Sequence, residues 1–90
     1  MSDATTPETL IEFPADLTVK AMGLNTPDFK ALISSLVLPL IEPADVRVTT
    51  VPSKEGKYLS VRVNFVATSL DQLQSVYAAL RAESRVLYTL

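Results

Sequence analysis

Three basic side chains and one tyrosine are the residues of this sequence whose types and spacing point to recognition chemistry. Lys20, Arg47 and Arg62 each stand in a segment where apolar residues occupy the positions on either side. In a β-strand this alternation sends the apolar side chains to one face and the remaining side chains to the other. We therefore expect the three cations to project from one uncovered sheet face, with Tyr58 beside them and no carboxylate among them. Such a face would bind a protein or a ligand, or would simply keep an exposed sheet solvated and discourage edge pairing.

Catalytic chemistry finds little support in the composition. The chain has no His and no Cys, which removes the commonest general base, the usual nucleophile pairs and most transition-metal sites. The carboxylates fall in the N-terminal arm, in loops and at helix ends, so no buried acid–base pair is indicated. With only two glycines there is no phosphate-binding loop. We predict no enzymatic activity, no catalytic residues, no metal site and no cofactor.

A second candidate site lies at the predicted turn from the first strand into the first helix. Gly23 would end the strand in a tight turn with positive φ, and Thr26 would cap a helix that has Pro27 at its first position. Unpaired N–H groups at that helix start could receive a carboxylate, with Gly23, Asn25 and Thr26 around it. The turn and cap roles account for Gly23 and Thr26 without any ligand.

Nucleic-acid binding is not favoured. RNA-recognition domains of similar topology stack bases on aromatics of their two central strands. In the corresponding stretch here, positions 56–63, Tyr58 is the one plausible platform. The net charge of −2 also argues against non-specific binding to phosphate backbones.

The elements that must position these residues follow from periodicity and turn signals. The most regular strand runs from Tyr58 to Thr68, and we expect it to be central. Pro39 interrupts the apolar stripe of the first helix and should end or kink it near Leu38. The other predicted elements are a strand over 16–23, a helix beginning at 26–27, a strand over 46–51, a hairpin loop over 52–57 with Gly56 in the left-handed region, a helix whose start carries the Ser69/Gln72 capping pair, and a strand over 86–90.

This βαββαβ order predicts an α+β, ferredoxin-like plait. A four-stranded antiparallel sheet would carry both helices on one face, with the second and fourth strands at its edges. Ninety residues suffice for one such domain, over 10–90, and the polar residues 1–9 are expected to form a disordered arm. No apolar run reaches the length of a membrane span and no secretory signal is recognisable, so the cytoplasm is the expected compartment.

Several stretches together resemble the YbeD-like family of small bacterial proteins. They are Phe13-Pro14, the segment from Leu17 to Gly23, and the segment from Pro52 to Val61. The resemblance implies a ferredoxin-like domain similar to the ACT regulatory domains of amino-acid metabolism, and it implies no established activity. In ACT-like domains effectors often bind near the turn from the first strand into the first helix, which here is Gly23 to Thr26.

The function expected from the sequence is therefore a non-enzymatic, ACT-like regulatory or protein-interaction module that acts by association. Its partner is an unknown protein or a second copy of this chain, and the contact surface is the face bearing Lys20, Arg47, Tyr58 and Arg62. The alternative is a sensor of amino acids or organic acids at Gly23, Asn25 and Thr26.

Overall fold

The computed structural model of the protein describes residues 11–90, so the arm predicted over 1–9 lies outside the described residues. The strands are β1 (Ala15–Leu24), β2 (Arg47–Pro52), β3 (Tyr58–Ala67) and β4 (Tyr88–Thr89). The helices are α1 (Phe29–Val37), followed by a 3-10 turn (Leu38–Leu40), and α2 (Leu70–Arg81). The element order is the predicted βαββαβ.

The four strands form one antiparallel sheet in the order β2-β3-β1-β4. β1 and β3 pair over all ten of their positions, from Ala15 with Ala67 to Leu24 with Tyr58. β2 and β4 lie at the two edges, and β2 ends at Pro52, whose missing N–H suits an edge position. The ferredoxin-like plait predicted from the sequence is confirmed, with β3 in the centre as expected.

The core lies between the sheet and the two helices. Both central strands bury alternate residues, as the period-2 pattern of their sequences requires. From β3 these include Val61, Val63 and Phe65, each at most 1% exposed. The helices contribute further core side chains, which are Phe29, Ile33, Val37, Val76 and Leu80.

The first helix ends as predicted but begins later. It stops at Val37 and passes into the 3-10 turn that contains Pro39, because proline supplies no N–H for a further helical bond. Its N-terminal boundary is Asp28, and no side chain caps the first turn. The predicted capping role of Thr26 is therefore wrong, since its hydroxyl donates to the Asp28 carboxylate at 2.8 Å instead.

The second helix begins with the predicted capping pair. The Ser69 hydroxyl accepts the backbone N–H of Gln72 at 3.1 Å. The Gln72 side-chain oxygen accepts the N–H of Thr68 at 2.8 Å, one residue before the position that a standard capping box would use. Gln72 also donates to the carbonyl of Leu40 at 3.2 Å, which ties α2 to the end of the 3-10 turn.

The hairpin and the last strand differ in how closely they follow the sequence prediction. Gly56 has a φ of 77°, which confirms its left-handed role in the loop between β2 and β3. The last strand is only Tyr88–Thr89, shorter than predicted, because pairing with β1 is confined to two positions. Backbone hydrogen bonds at Leu87 and Leu90 continue the attachment to β1 on either side of it.

Candidate functional site

One face of the sheet carries no helix, and we call it the open face. Its side chains follow from the register, because residues paired across antiparallel strands share a face. They are Asp16, Thr18, Lys20, Met22 and Leu24 of β1, Arg47, Thr49 and Val51 of β2, Tyr58, Ser60, Arg62, Asn64 and Val66 of β3, and Tyr88 of β4.

The three predicted cations converge in the middle of the open face. Lys20 and Arg62 stand directly opposite each other on the two central strands, and Arg62 is flanked on its other side by Thr49. Arg47 lies one row along, opposite Asn64. We call the resulting shallow depression of about 570 Å³ the cationic trough. Its lining residues are Thr18, Lys20, Arg47, Thr49, Arg62 and Asn64.

An acidic residue also belongs to the open face, which corrects the expectation that none does. Asp16 is the second residue of β1, two positions before Thr18. Its side chain therefore projects from the same face as Thr18 and Lys20. Its carboxylate accepts a 2.8 Å hydrogen bond from the Asn64 side-chain amide, which also donates to Thr18 Oγ1 at 3.1 Å. Asp16 thus lies at one end of the trough, where Asn64 holds it.

The cations of the trough have no carboxylate within salt-bridge distance among residues 11–90, where the ion pair present is that of Arg85 with Asp28. The Nε atom of Arg62 is also inaccessible to solvent and has no hydrogen-bond acceptor in the described part of the chain. A buried charged donor without a partner is costly to maintain. The sequence pattern located Arg62 but contained no signal that its Nε would lack a partner.

Tyr58 lies on the open face but outside the trough. It pairs with Leu24 at the far end of the β1–β3 ladder, four residues along β1 from Lys20, or about 13 Å at strand spacing. Lys57 places its Nζ 5.4 Å from the Tyr58 ring centroid. The neighbouring open-face side chains Leu24, Val51 and Tyr88 are each more than 40% exposed. This end of the open face is therefore apolar, and the structure separates Tyr58 from the three cations.

Gly23 is an internal residue of β1 paired with Leu59, and not the turn residue that the sequence suggested. It lies outside the left-handed region occupied by Gly56. A Cβ at this position would lie 2.5 Å from the Arg85 carbonyl oxygen and 2.6 Å from the Phe29 ring. Close packing is therefore what requires glycine here, and protein atoms fill the space beside it.

Asn25 and Thr26, the other two residues of the predicted ligand site, are held by protein partners. The Asn25 side chain donates to the Gly56 carbonyl at 3.0 Å, and its backbone N–H donates to the Lys57 carbonyl at 2.9 Å. These bonds fasten the end of β1 to the β2–β3 hairpin. The Thr26 hydroxyl accepts a 2.6 Å hydrogen bond from Arg85. The sensor hypothesis for these residues stays a prediction.

Arg85 forms an ion-pair cluster that sequence reasoning did not find. Its guanidinium donates to both carboxylate oxygens of Asp28, at 2.8 and 3.0 Å, and its Cζ lies 6.0 Å from the Phe29 ring centroid. These hydrogen bonds, with a further one from Thr26, hold the pKa of Asp28 well below its usual range. They also raise the pKa of Arg85. The cluster joins the start of α1 to the segment before β4, across 57 sequence positions that no local pattern connects.

Metal-binding clusters and membrane-spanning helices are both lacking within residues 11–90. These residues contain no group of three or more His, Cys, Asp or Glu side chains placed to hold a metal ion. No helix in the same range is long and apolar enough to cross a membrane.

Comparison with known proteins places the chain in a family. Residues 8–90 match the family model described as a protein of unknown function, DUF493. The chain belongs to the DUF493 family. This agrees with the YbeD-like resemblance read from the sequence, and DUF493 relatives named UPF0250 proteins occur in several bacteria.

The relatives span most of the DUF493 chain. A UPF0250 protein of Bordetella parapertussis is 39% identical over 82 residues and covers 88% of each chain. One from Janthinobacterium is 38% identical over the full length of both chains, and one from Vibrio parahaemolyticus is 38% identical over 79% of this chain and 76% of its own. Neither the DUF493 description nor these names state an activity.

A solved structure supports the fold independently. The solution structure of protein HP0495 from H. pylori matches this DUF493 chain with a TM-score of 0.72. The match covers 100% of this chain and 93% of the other at 19% sequence identity. At that identity the likeness concerns the fold alone.

Proposed function

We propose that this protein is a non-enzymatic, ACT-like regulatory or interaction module that acts in the cytoplasm by binding another protein through its open face. The observation that carries the proposal is the convergence of Lys20, Arg47 and Arg62 without a carboxylate partner among the described residues. Three of the chain's eight basic residues gather there although the net charge of the protein is −2. A local cluster of positive charge on a protein of negative net charge favours recognition of an acidic surface and steers its approach.

The apolar end of the open face adds contact area to this charge. Leu24, Val51 and Tyr88 lie beside Tyr58 and Met22, within about 13 Å of the trough. Protein interfaces commonly combine aromatic anchors with arginine, and exclude water around them. The two halves of the open face thus supply the two kinds of contact that a protein partner needs.

A second copy of this chain fits the open face less well than an acidic partner. If two open faces packed symmetrically, each trough would face either the other trough or the other apolar end. The first arrangement opposes like charges, and the second buries cations against apolar side chains without partners. We therefore favour a partner that presents acidic groups to the trough.

The test is capture of partners from a lysate of the source bacterium on three immobilised forms of the protein. We expect the Lys20→Glu/Arg62→Glu form to recover at least tenfold less of a specific partner than wild type. The matched control is Lys30→Glu/Lys54→Glu, which makes the same change in net charge at exposed positions outside the cationic trough. The double reversal replaces one like-charged cross-strand pair by another, so the fold should be spared.

The result that contradicts the proposal is equal capture by wild type and by the Lys20→Glu/Arg62→Glu form. Light scattering on wild type in the high micromolar range reports self-association separately, and a dimer that the double reversal leaves intact would place the contact elsewhere. Val63→Asp serves as the unfolding reference, because Val63 is 1% exposed on the opposite face of β3 and an aspartate there would be buried without a partner.

A further inference from the structure

The cross-strand pair at the centre of the trough has an unusual composition. Lys20 and Arg62 are register partners on the two central strands, so their Cβ atoms lie about 4.5–5.5 Å apart on the same face. Like charges directly opposite each other destabilise a sheet, and no carboxylate among residues 11–90 lies within salt-bridge distance of either. An anion placed between the two side chains would remove this repulsion.

Hydrogen-bond donors from three strands surround the same point. β1 contributes Lys20, β3 contributes Arg62, and β2 contributes the hydroxyl of Thr49, which is the register partner of Arg62 on its other side. Arg47 adds a second guanidinium one row away on β2. A planar carboxylate offers two acceptor oxygens, whereas a phosphoryl group offers three arranged around a tetrahedron. Donors that approach from three strands match the tetrahedral group better.

The charge of the trough indicates the charge of its ligand. Lys20, Arg47 and Arg62 contribute three positive charges to the trough, and Asp16 and Asp45 share an adjoining depression with Arg47 and Asn64. Lys20 and Arg62 do not line that second depression, and their two positive charges match a dianion. A phosphate monoester has a charge of about −1.5 to −2 at pH 7. Arg62 and Arg47 can also form the paired hydrogen bonds to phosphate oxygens that guanidinium groups favour.

We propose that the cationic trough binds a dianionic phosphoryl group, held between Lys20 and Arg62 with the Thr49 hydroxyl as a further donor. Asn64 does not take part, because its side-chain amide is already committed to Asp16, Thr18 and the Leu17 carbonyl. The inference rests on the proposed function in that it names the group which the open face recognises. The phosphoryl group belongs either to a free phosphate ester or to a phosphorylated side chain of a protein partner.

The experiment is a titration of ¹⁵N-labelled full-length protein at pH 7.5, followed by amide chemical shifts. Inorganic phosphate and O-phospho-L-serine are the probes, with sodium chloride and succinate at matched ionic strength as references. We expect saturable shifts at residues 18–20, 47–49 and 61–64 with phosphate and phosphoserine. Lys20→Gln and Arg62→Gln should each weaken binding at least tenfold, whereas the hairpin variant Lys54→Gln should change it less than twofold.

The pH dependence provides a second readout. The second pKa of a phosphate monoester is near 6, so affinity for phosphoserine should fall several-fold between pH 7.5 and 5, because the ligand loses its second negative charge. Sulfate, which is a dianion over this whole range, should bind without that loss. A structural role for Lys20 and Arg62 would produce neither effect.

Several outcomes overturn the inference. If chloride produces the same amide shifts as phosphate, the trough is a surface charge screened by salt and not an anion site. If succinate binds as tightly as phosphate, the ligand of the trough is a carboxylate.

A phosphoserine-containing peptide distinguishes the two sources of the phosphoryl group. Binding at least tenfold tighter than that of free phosphoserine supports the protein-borne source, and equal affinities support the free ester.

The two proposals fail separately. If phosphate does not bind but Lys20→Glu/Arg62→Glu loses its protein partner, the phosphoryl assignment is wrong and the interaction surface stands. If phosphate binds and the Gln variants lose it while partner capture is unchanged by the double reversal, the anion site stands and the proposed function is wrong.

Discussion

Replacing Gly23 by alanine should destabilise the domain strongly, because the added methyl group has no space. Its carbon would lie 2.5 Å from the Arg85 carbonyl oxygen and 2.6 Å from two atoms of the Phe29 ring. The carbonyl belongs to the backbone, and Phe29 is only 1% exposed, so neither obstacle can simply turn away. Overpacking of this kind costs about 1–3 kcal/mol.

The net effect is smaller than the packing term alone. Alanine has fewer conformations than glycine in the unfolded chain, and this difference stabilises the folded state by about 0.4–1 kcal/mol. With two rigid obstacles the packing term lies near the top of its range, so we expect a net loss of about 2 kcal/mol. For a domain of this size that corresponds to a fall in Tm of about 8–16 °C. Total stability is about 4–13 kcal/mol at this length, so the variant should still fold.

The assay is urea unfolding followed by circular dichroism at 25 °C, with Gly56→Ala as the matched control. A methyl group on Gly56 would meet no atom within 4 Å beyond its chain neighbours, and the φ of 77° alone should cost about 1 kcal/mol. A cycle with Phe29→Leu then isolates the ring. The shorter side chain should relieve part of the Gly23→Ala penalty, with a coupling of about 0.5–3 kcal/mol. A Gly23→Ala stability within about 0.5 kcal/mol of wild type would refute the packing argument.

Two further predictions concern the start of each helix. Arg85 holds the pKa of Asp28 below its usual value, so the pair stabilises the folded state at pH values above the ordinary carboxyl pKa near 3.8, and this contribution is lost as pH falls below it. Wild type should therefore lose stability relative to Asp28→Asn between about pH 5 and pH 2 in urea titrations. If the free energies of unfolding of the two proteins change in parallel over that pH range, the ion pair does not stabilise the fold. Ser69→Ala should lower the free energy of unfolding in urea by about 1 kcal/mol, because the Gln72 N–H loses its acceptor. An unchanged unfolding midpoint would mean that water replaces the hydroxyl without loss of stability.

Elements governed by local periodicity were predictable from the sequence. The alternation in β3 correctly assigned Val61, Val63 and Phe65 to the core. The alternation in β1 and β3 likewise assigned Lys20 and Arg62 to the opposite face, because a strand allows only two side-chain directions. Local stereochemistry likewise located the helix end before Pro39 and the left-handed Gly56. These predictions need only the residue and its immediate neighbours.

Features that depend on distant residues were not predictable. Arg85 reaches Thr26 and Asp28 across nearly sixty positions, and its carbonyl oxygen is also one of the atoms that exclude a side chain at Gly23. The sequence therefore suggested a cap for Thr26 and a turn for Gly23, which are the commonest local roles of those residue types. Asp16 was missed on the open face although its alternation with Thr18 was the available signal. The same distance dependence explains why the unpartnered Nε of Arg62 could not be anticipated.

The register of the two central strands has a consequence for how the domain forms. Leu24 and Tyr58, the β1–β3 partners nearest in sequence, are 34 positions apart, and Ala15 and Ala67 are 52 apart. The β2–β3 hairpin, by contrast, closes between Pro52 and Leu59. Closing a long loop lowers the entropy of the chain before stabilising contacts form. The hairpin should therefore assemble early, and the docking of β1 should limit the folding rate. Substitutions in β1 should then slow folding, while those confined to the two residues of β4 should mainly speed unfolding.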